Sequence, residues 1–330
     1  MMKEETLRDI GEFECIHRIA HDLIYRPELV KLGAGDDGAV FMTPCGYDEV
    51  ISTDTMVEGI HFTKRTMSAA DTGYHLCAVN FSDMAAMGAE PVSFVISAAL
   101  PGDLSITWIE SCYDGIRECC REYSVNLLGG DITGSKQGII LTGTIVGIVP
   151  ENQAVKRSGA KEGDIVFVTG TLGDSSAGLS ILLDGKKEEY PMLAIRHQRP
   201  KPQIEFGRIL RESGASSLNE VSDGLSREIN EIASASRVTI ELEKERIPLS
   251  DELCRWGQDC EKEPFCFAIN GGEDYELVGT ISKKNWEYVK GIGGVTGIGH
   301  VKKAGKGQVF LKDKNSIKLL TIAGYDHFRS

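Results

Sequence analysis

The stretch VISTDTMVEGIHF, residues 50–62, begins with β-branched residues and continues into a segment that carries Asp54, Glu58 and His61. β-Branched residues favour strands, and ligands commonly bind where the strands of an α/β sheet end. Carboxylates also stand beside glycine or small polar residues in GAGDDG at 33–38, NFSD at 80–83 and GGD at 129–131. Because clustered carboxylates repel one another and any phosphate unless divalent cations lie between them, these segments predict a site for Mg²⁺ and a phosphate-bearing nucleotide.

Composition and charge restrict the class of protein. The 330 residues are 41% hydrophobic and 26% charged, which predicts a globular chain long enough for two domains. A formal net charge of −13 argues against non-specific nucleic-acid binding and against a basic membrane-binding surface. No segment is apolar over the length of a membrane-spanning helix, and the acidic start is unlike a secretory signal, so a cytoplasmic location is expected. The nine cysteines form no C-x-x-C pair, which predicts reduced thiols and no zinc site.

Predicted strands and helices alternate along the chain. In the first half, hydrophobic periodicity predicts helices over 12–26, 68–88 and about 105–122, and strands over 39–42, 50–53, 92–96, 125–128 and 139–146. Pro150 and the polar segment after it predict an inter-domain connection, which divides the chain into residues 1–150 and 151–330. In the second half we expect helices from about 175 and from 223, and strands over 164–169, up to 221, near 275–281 and near 295–299.

Two segments match nucleotide-binding motifs by letter only. G-x-G-x-x-G at 33–38 is followed by a predicted strand where the dinucleotide motif requires a helix, and its aspartates would repel a pyrophosphate. G-x-x-x-x-G at 129–134 is followed by Ser-Lys, the reverse of the P-loop order, and also encloses an aspartate. Neither segment predicts a nucleotide site of its own.

Each candidate residue also has a purely structural interpretation. Asp83 lies in a predicted amphipathic helix, where metal ligation would compensate for poor helix propensity and an exposed helix face is the alternative. SDGL at 222–225 would either cap a helix or bind phosphate at its N-terminus, and GGEDYE at 271–276 also fits an acidic hairpin turn. A lone histidine such as His61 is more often structural, and Arg157 is either a surface cation or a phosphate-binding residue. The convergence of several motifs favours the metal and phosphate site.

These motifs, taken in order, resemble those of the thiamine-monophosphate kinase family. The matching segments are GDDGAV at 35–40, STDTMVEGIHF at 52–62, NFSDMAAMGA at 80–89, GGD at 129–131, SDGL at 222–225, GEDYEL at 272–277 and the ending GYDHF at 324–328. The resemblance therefore extends from about residue 33 to 328. Its longest block, at 52–62, is also the most specific.

The resemblance implies the two-domain fold of aminoimidazole ribonucleotide synthetase. Residues 1–150 would form an N-terminal α/β domain whose sheet pairs with its twin in a homodimer, and residues 151–330 would form an α+β domain. The implied activity is transfer of the γ-phosphoryl group of ATP to thiamine monophosphate, with several Mg²⁺ ions positioning the phosphates and no side chain acting as acid or base. Carried over by position, the metal ligands would be Asp36, Ser52, Thr53, Asp54, Asp83, Asp131, Glu220 and Asp223. The ATP contacts would be Tyr113, Gly129, Gly130, Arg157 and Ser222. The substrate contacts would be His61, Glu273 and Tyr325.

Other ATP-dependent proteins remain alternatives to this activity. The family usually has aspartate at the position of Glu220, although a glutamate could still reach a metal. Among related synthetases, a hydrogenase-maturation dehydratase would require a terminal cysteine, whereas this chain ends Phe-Arg-Ser. A selenophosphate synthetase would require a reactive residue near the start, and Cys15 lies in a predicted helix. A non-catalytic module that binds nucleotide and metal is the alternative from a different class.

Overall fold

The computed structural model describes residues 5–33, 38–314 and 316–322. Two of the predicted site residues, Asp36 and Tyr325, lie outside this part of the chain. The fold divides into two compact units, the first formed by Met1–Met84 with Glu90–Asn152 and the second by Ala85–Ala89 with Gln153–Ser330. Each unit contains a sheet of its own.

The first unit has a mixed four-stranded sheet with helices on one face. Its elements are α1 (Leu7–Ile19), β1 (Val30–Leu32), β2 (Val40–Phe41), β3 (Tyr47–Val57), α2 (Ala69–Ala86, of which the last two residues belong to the second unit), β4 (Glu90–Pro101), α3 (Ile106–Tyr123), β5 (Asn126–Ser135) and β6 (Ile140–Pro150). The strand order is β3-β6-β4-β5, with only the β4–β5 pair parallel. Phe81 of α2 packs edge-on against Phe94 of β4, with ring centroids 5.4 Å apart, and also contacts Tyr123 of α3. These contacts place α2 and α3 on the same face.

The described residues of the chain leave most of the opposite face of this sheet open, and Leu29 covers one end of it at Ile148. In its three central rows the side chains are uncharged apart from Asp131, and most are β-branched or small. Besides Asp131, they are Ile51, Val146, Ser93 and Asn126 in one row and Thr53, Thr55, Val95, Ser97, Thr142 and Thr144 in the other two, with Ser93 and Asn126 buried. Ile51 is 70% exposed and Val95 is 39% exposed. An uncharged open face of this kind is typical of a surface that another layer covers.

Several predicted elements of the first unit have wrong boundaries, and two of the errors have identifiable reasons. The strand predicted over 50–53 extends to Val57 and includes Asp54, and the one predicted over 92–96 extends to Pro101. The first helix ends at Ile19, whereas the periodicity predicts a helix to residue 26. The backbone N–H groups of Tyr25 and Arg26 donate to Asn126 Oδ1 at 2.7 and 2.6 Å, so a distant side chain holds that segment outside the helix. The GGD segment lies inside β5, whereas the sequence predicts it after the strand. A Cβ at Gly130 would lie 1.9 Å from the carbonyl oxygen of Ile96, so glycine permits β5 to continue beside β4.

Helices α2 and α3 approach each other at two glycines. A Cβ added to Gly73 would lie 1.9 Å from the carbonyl oxygen of Cys112, and one added to Gly115 would lie 1.9 Å from that of Ala70. Both contacts are with backbone, which cannot rotate away as a side chain can. The two helices therefore pack at a distance that only glycine allows.

Gly115→Ala is expected to destabilise the protein by about 3 kcal/mol, because the added methyl group forces the two helices apart. The free energy of unfolding in urea measures this effect. Gly102→Ala is the matched control, since its Cβ would lie 3.6 Å from the flexible end of Arg8. Equal stability of the two variants would contradict the close helix contact.

The second unit is a seven-stranded sheet with helices on both faces. Its elements are β7 (Ile165–Thr169), α4 (Asp174–Asp184), α5 (Pro191–Gln198), α6 (Ile204–Glu212), β8 (Ala215–Glu220), α7 (Leu225–Ser236), β9 (Val238–Glu243), α8 (Asp251–Asp259), α9 (Pro264–Asn270), β10 (Leu277–Ile281), α10 (Lys283–Val289), β11 (Val295–Ala304), β12 (Gln308–Asp313) and β13 (Ser316–Leu319). The strand order is β13-β12-β9-β11-β7-β10-β8, and only β12 and β9 pair in parallel.

Alternate residues of the central strands enter two separate cores. Val166 and Val168 of β7 pack with Ile229 of α7 on one face, whereas Phe167 packs with Leu210 of α6 on the other. Because both faces are covered, β7 and β10 are buried along their whole length. None of the helices in the described part of the chain is both long and apolar enough to cross a membrane.

Candidate functional site

A pair of aspartates lies on the covered face of the first sheet. Asp54 belongs to β3 and Asp83 to α2. The hydroxyl of Ser52 donates to Asp83 Oδ2 at 2.5 Å, and the backbone N–H of Asp54 donates to Asn80 Oδ1 at 3.1 Å. Asn80 and Asp83 are three residues apart and therefore share one side of α2. Three of the predicted metal ligands, Ser52, Asp54 and Asp83, thus lie together.

The aspartate pair is electrostatically strained without a cation. Burial raises the pKa of Asp54, and the charge of Asp83 and a hydrogen bond to it raise that pKa further. Two carboxylates and a hydroxyl are hard oxygen donors of the kind that Mg²⁺ prefers. The donor set of Ser52, Asp54 and Asp83 therefore fits a divalent cation, which would remove the repulsion between the carboxylates.

The stability of the metal-free protein should fall with rising pH more steeply in the wild type than in Asp54→Asn. A carboxyl group whose pKa is raised by folding stabilises the folded state below its unfolded pKa, and that contribution is lost as the pH rises through the folded pKa. Thermal unfolding in a chelator should therefore show the variant gaining on the wild type from about pH 4 towards neutrality. A constant difference between the two midpoints over this range would contradict the strained pair.

Thr53 and Asp131 lie elsewhere on the same sheet. The hydroxyl of Thr53 donates to the carbonyl oxygen of Gly143 at 2.6 Å, on the open face. Asp131 of β5 pairs in register with exposed Ser97 and also lies on the open face. Since β3 and β5 form opposite edges of the sheet, three strand spacings of about 4.8 Å separate Asp131 from the β3 edge. Within residues 5–33, 38–314 and 316–322, no three His, Cys, Asp or Glu side chains group as metal ligands.

The remaining predicted residues of the first unit have structural surroundings of their own. Tyr113 of α3 is half-buried, and burial raises its pKa, with smaller contributions from the nearby thiols of Cys112 and Cys15. Nδ1 of His61 accepts the backbone N–H of Val57 at 3.0 Å, which fixes the imidazole against the end of β3. Gly129 has φ 153° at a register irregularity of β5.

In the second unit, Arg157 is held by two side chains. Its Nε donates to Asn219 Oδ1 at 2.9 Å, and its Nη1 donates to Glu231 Oε2 at 2.9 Å. Glu220 follows Asn219 at the end of β8 and is 8% exposed. A buried carboxylate of this kind is rare unless it is paired or ligates a cation.

The SDGL segment lies between β8 and α7. The N-cap residue of α7 is Gly224, so the interpretation of Ser222 or Asp223 as the helix cap is wrong. The carboxylate of Asp223 lies 3.6 Å from Nε of Arg227. Ser222 and Asp223 therefore lie just before the N-terminus of α7, a helix of 12 residues. The N-terminus of a helix favours the binding of anions and their counter-ions.

The GGEDYE segment is an irregular connection from α9 to β10, so its interpretation as a hairpin turn is wrong. Glu273 and Tyr275 have φ values of 65° and 51°, and their N–H groups donate to the carbonyl oxygens of Ser222 and Val221. Asp274 accepts the N–H groups at the start of α4, and burial raises its pKa well above the usual range. The hydrogen bonds of Glu273, Asp274 and Tyr275 thus offset the cost of the strained backbone conformation at Glu273.

Sequence reasoning missed two buried polar residues, His197 and Glu228, near the predicted site residues. Buried His197 lies with Nδ1 3.3 Å from Glu273 Oε2. Glu228 of α7 is 4% exposed, and burial raises its pKa to about 7. The signal for Glu228 was available, because it occupies the apolar side of an amphipathic helix beside Leu225 and Ile229. Nothing in the sequence indicated that His197 lies near Glu273.

Comparison with known proteins shows one family over most of the chain. Residues 35–149 match the family model for the AIR synthase related protein, N-terminal domain, and residues 161–312 match the model for its C-terminal domain. The thiamine-monophosphate kinase of Bacillus subtilis is 38% identical over 330 residues, which cover 97% of this chain and 100% of that protein.

Solved structures agree with the sequence comparison. The crystal structure of thiamine-monophosphate kinase from Stenotrophomonas maltophilia superposes with a TM-score of 0.82 at 31% identity, covering 93% of this chain and 98% of that one. The structure described as AaThiL complexed with AMPPCP and TMP gives a TM-score of 0.75 at 34% identity, covering 97% of this chain and 100% of that one. Both similarities extend through the two units.

Proposed function

The chain belongs to the thiamine-monophosphate kinases among the AIR synthase related proteins, and on that premise we propose that it phosphorylates thiamine monophosphate with ATP, assisted by Mg²⁺. The observation that carries the proposal is the full-length similarity to these kinases, joined to the cation-binding donor set of Ser52, Asp54 and Asp83. The products would be thiamine diphosphate and ADP. The reaction class is phosphoryl transfer to an acceptor that is itself a phosphate.

The chemistry of this transfer suits a site without a general base. The acceptor phosphate is already ionised, so the main difficulty is to bring two polyanions together. When bound, Mg²⁺ neutralises phosphate charge and aligns donor with acceptor. In the first unit Ser52, Asp54 and Asp83 would hold a cation. In the second, the resemblance to the kinases implies Glu220 and Asp223 as oxygen ligands.

Arg157 and Ser222 would contact the phosphates of ATP. The guanidinium presents its remaining N–H groups from a position fixed by Asn219 and Glu231, which supports a charge-assisted contact. Glu273 would contact thiamine monophosphate, and its carboxylate suits the positive thiazolium ring of that substrate. The roles of Asp36, Tyr113, Gly129, Gly130, His61 and Tyr325 stay as the resemblance implies them.

We further propose that two copies pair through the open face of the first sheet. The uncharged threonine-rich rows of that face are covered in such a dimer, which explains why they lack charge. Asp131 lies on this face and at the sheet edge opposite β3, remote from Asp54 of its own chain. Because β3 is an edge strand, we propose that Asp131 and the adjoining Gly129 and Gly130 of one copy reach the site of the other copy around that edge.

The activity is tested by following ADP release from purified protein with ATP and Mg²⁺. We expect release with thiamine monophosphate, and only background release with free thiamine or with formylglycinamidine ribonucleotide. Release with the ribonucleotide alone would identify a related synthetase instead. Nucleotide binding without release for any of the three acceptors would indicate a non-catalytic module.

A further inference from the structure

A continuous hydrogen-bonded chain lies behind Arg157 in the second unit. Asn219 Oδ1 accepts from Arg157 Nε at 2.9 Å, and Asn219 Nδ2 donates to Glu228 Oε2 at 2.5 Å. The other oxygen of Glu228, Oε1, accepts the backbone N–H of Asp223 at 3.2 Å. Asn219 is 2% exposed and Glu228 is 4% exposed, whereas the side chain of Arg157 is 54% exposed. The chain of hydrogen bonds therefore runs from the buried interior to a surface guanidinium.

The polarity of this chain follows from the donors and acceptors available. Both oxygens of Glu228 accept a hydrogen bond, so Asn219 presents its NH₂ group inward. The carbonyl oxygen of Asn219 then faces outward, where it can accept only from a donor such as Arg157 Nε. The same carboxylate also fixes the N–H of Asp223, at the turn that precedes α7. One buried group thus orients two predicted ligand-binding residues.

We propose that Glu228 and Asn219 are positioning residues that orient Arg157 and the Asp223 turn towards the phosphates of Mg²⁺-bound nucleotide. The assignment deepens the proposed function and rests on it for the role of Arg157. A buried carboxylate is costly, and its neighbours Leu225 and Ile229 would be better packed against an apolar residue. The cost is offset where the carboxylate fixes the geometry of a binding site.

Glu228→Gln is the sharpest single test. Glutamine has nearly the same shape as glutamate, but it cannot accept hydrogen bonds from Asn219 and from the N–H of Asp223 at the same time. If its NH₂ group faces Asn219, the Asn219 amide must turn and present a donor to Arg157 Nε. If its oxygen faces Asn219, the NH₂ group meets the N–H of Asp223. In either case the protein loses the hydrogen bond that holds Arg157 or the one that holds Asp223. We expect the KM for ATP to rise about tenfold and the KM for thiamine monophosphate to change less than about twofold.

A double-mutant cycle separates positioning from loss of stability. Asn219→Ala should raise the KM for ATP about tenfold in the wild type but less than about twofold in an Arg157→Ala background, because Asn219 acts through that guanidinium. Asp164→Asn is the matched control, since Asp164 is also a buried carboxylate that accepts from a backbone N–H and from a hydroxyl. It should lower the unfolding temperature and leave the KM for ATP unchanged.

Two kinetic results would overturn the assignment. One is an unchanged KM for ATP in folded Glu228→Gln, and the other is the same increase from Asn219→Ala in both backgrounds. Calorimetric binding of Mg²⁺-ADP distinguishes failure of this inference from failure of the proposed function. Wild-type protein that leaves thiamine monophosphate unphosphorylated would overturn the proposed function. About tenfold weaker Mg²⁺-ADP binding by Glu228→Gln would still support the positioning role, and equal binding would overturn it.

Discussion

Asp54→Asn is expected to lower kcat for phosphorylation of thiamine monophosphate by about a thousandfold or more, with the fold intact. The neutral amide removes a charged oxygen ligand from the proposed cation site of Ser52, Asp54 and Asp83, and an amide oxygen is a poorer ligand for Mg²⁺. Because the reaction depends on cations to neutralise two polyanions, a defect in their binding acts directly on the transition state. Initial rates at saturating ATP and varied Mg²⁺ measure the effect.

A second measurement shows that the loss in Asp54→Asn arises at the cation. Mg²⁺-ADP should raise the unfolding temperature of the wild type by mass action and raise that of the variant much less. Asp48→Asn is the matched control on the same strand, since exposed Asp48 accepts the backbone N–H of Asn152 and lies away from the aspartate pair. Activity of Asp54→Asn within a few-fold of the Asp48→Asn control would remove Asp54 from the metal site.

Local sequence patterns predicted much of the fold. The helix around Asp83 was predicted because its periodicity extends over many residues, and it exists. The strand before Asp54 was predicted too short, at 50–53, and the observed strand continues through Asp54 to Val57. The helix predicted to residue 26 failed because Asn126, a hundred positions away, holds that backbone. A contact of this separation leaves no signal in a local window. Likewise, the length of β5 depends on the fit of Gly130 beside Ile96, which only the pairing of the strands shows.

The candidate site was predictable in its residue types and less so in its grouping. The carboxylates beside glycines in the sequence predicted a site for a metal ion and phosphate, and Ser52, Asp54 and Asp83 do lie together. It treated Asp131 as a member of the same group, although the register places that residue on the other face of the sheet. Alternation of side chains along a strand is strict, so one residue of difference in register decides the face. That register depends on the bulge near Gly129, which the sequence did not show.

The second prediction with a large effect follows from the position of Asp131. We expect Asp54→Asn and Asp131→Asn to be nearly inactive as separate homodimers, and a purified heterodimer of the two variants to recover about half of the wild-type activity. If Asp131 serves the partner's site, one site of the heterodimer combines an intact Asp54 from one copy with an intact Asp131 from the other. The second site carries both defects. Co-expression with two different tags and tandem purification yields the heterodimer for the rate measurement.

The control for this experiment uses two residues that the structure places in one group within one chain. A heterodimer of one Asp54→Asn copy and one Asp83→Asn copy should be inactive, because each of its two sites then lacks either Asp54 or Asp83. Recovery of activity in the heterodimer with Asp131→Asn but not in the one with Asp83→Asn would show that Asp131 and Asp54 of one site come from different chains. A loss of stability in the variants would not produce this difference. Background activity in both heterodimers would assign Asp131 to the site of its own chain, and a fully active Asp131→Asn homodimer would remove it from the site. A single copy in light scattering would contradict the pairing of the open faces altogether, and the uncharged rows of Thr53, Thr55, Thr142 and Thr144 would then require a different covering layer.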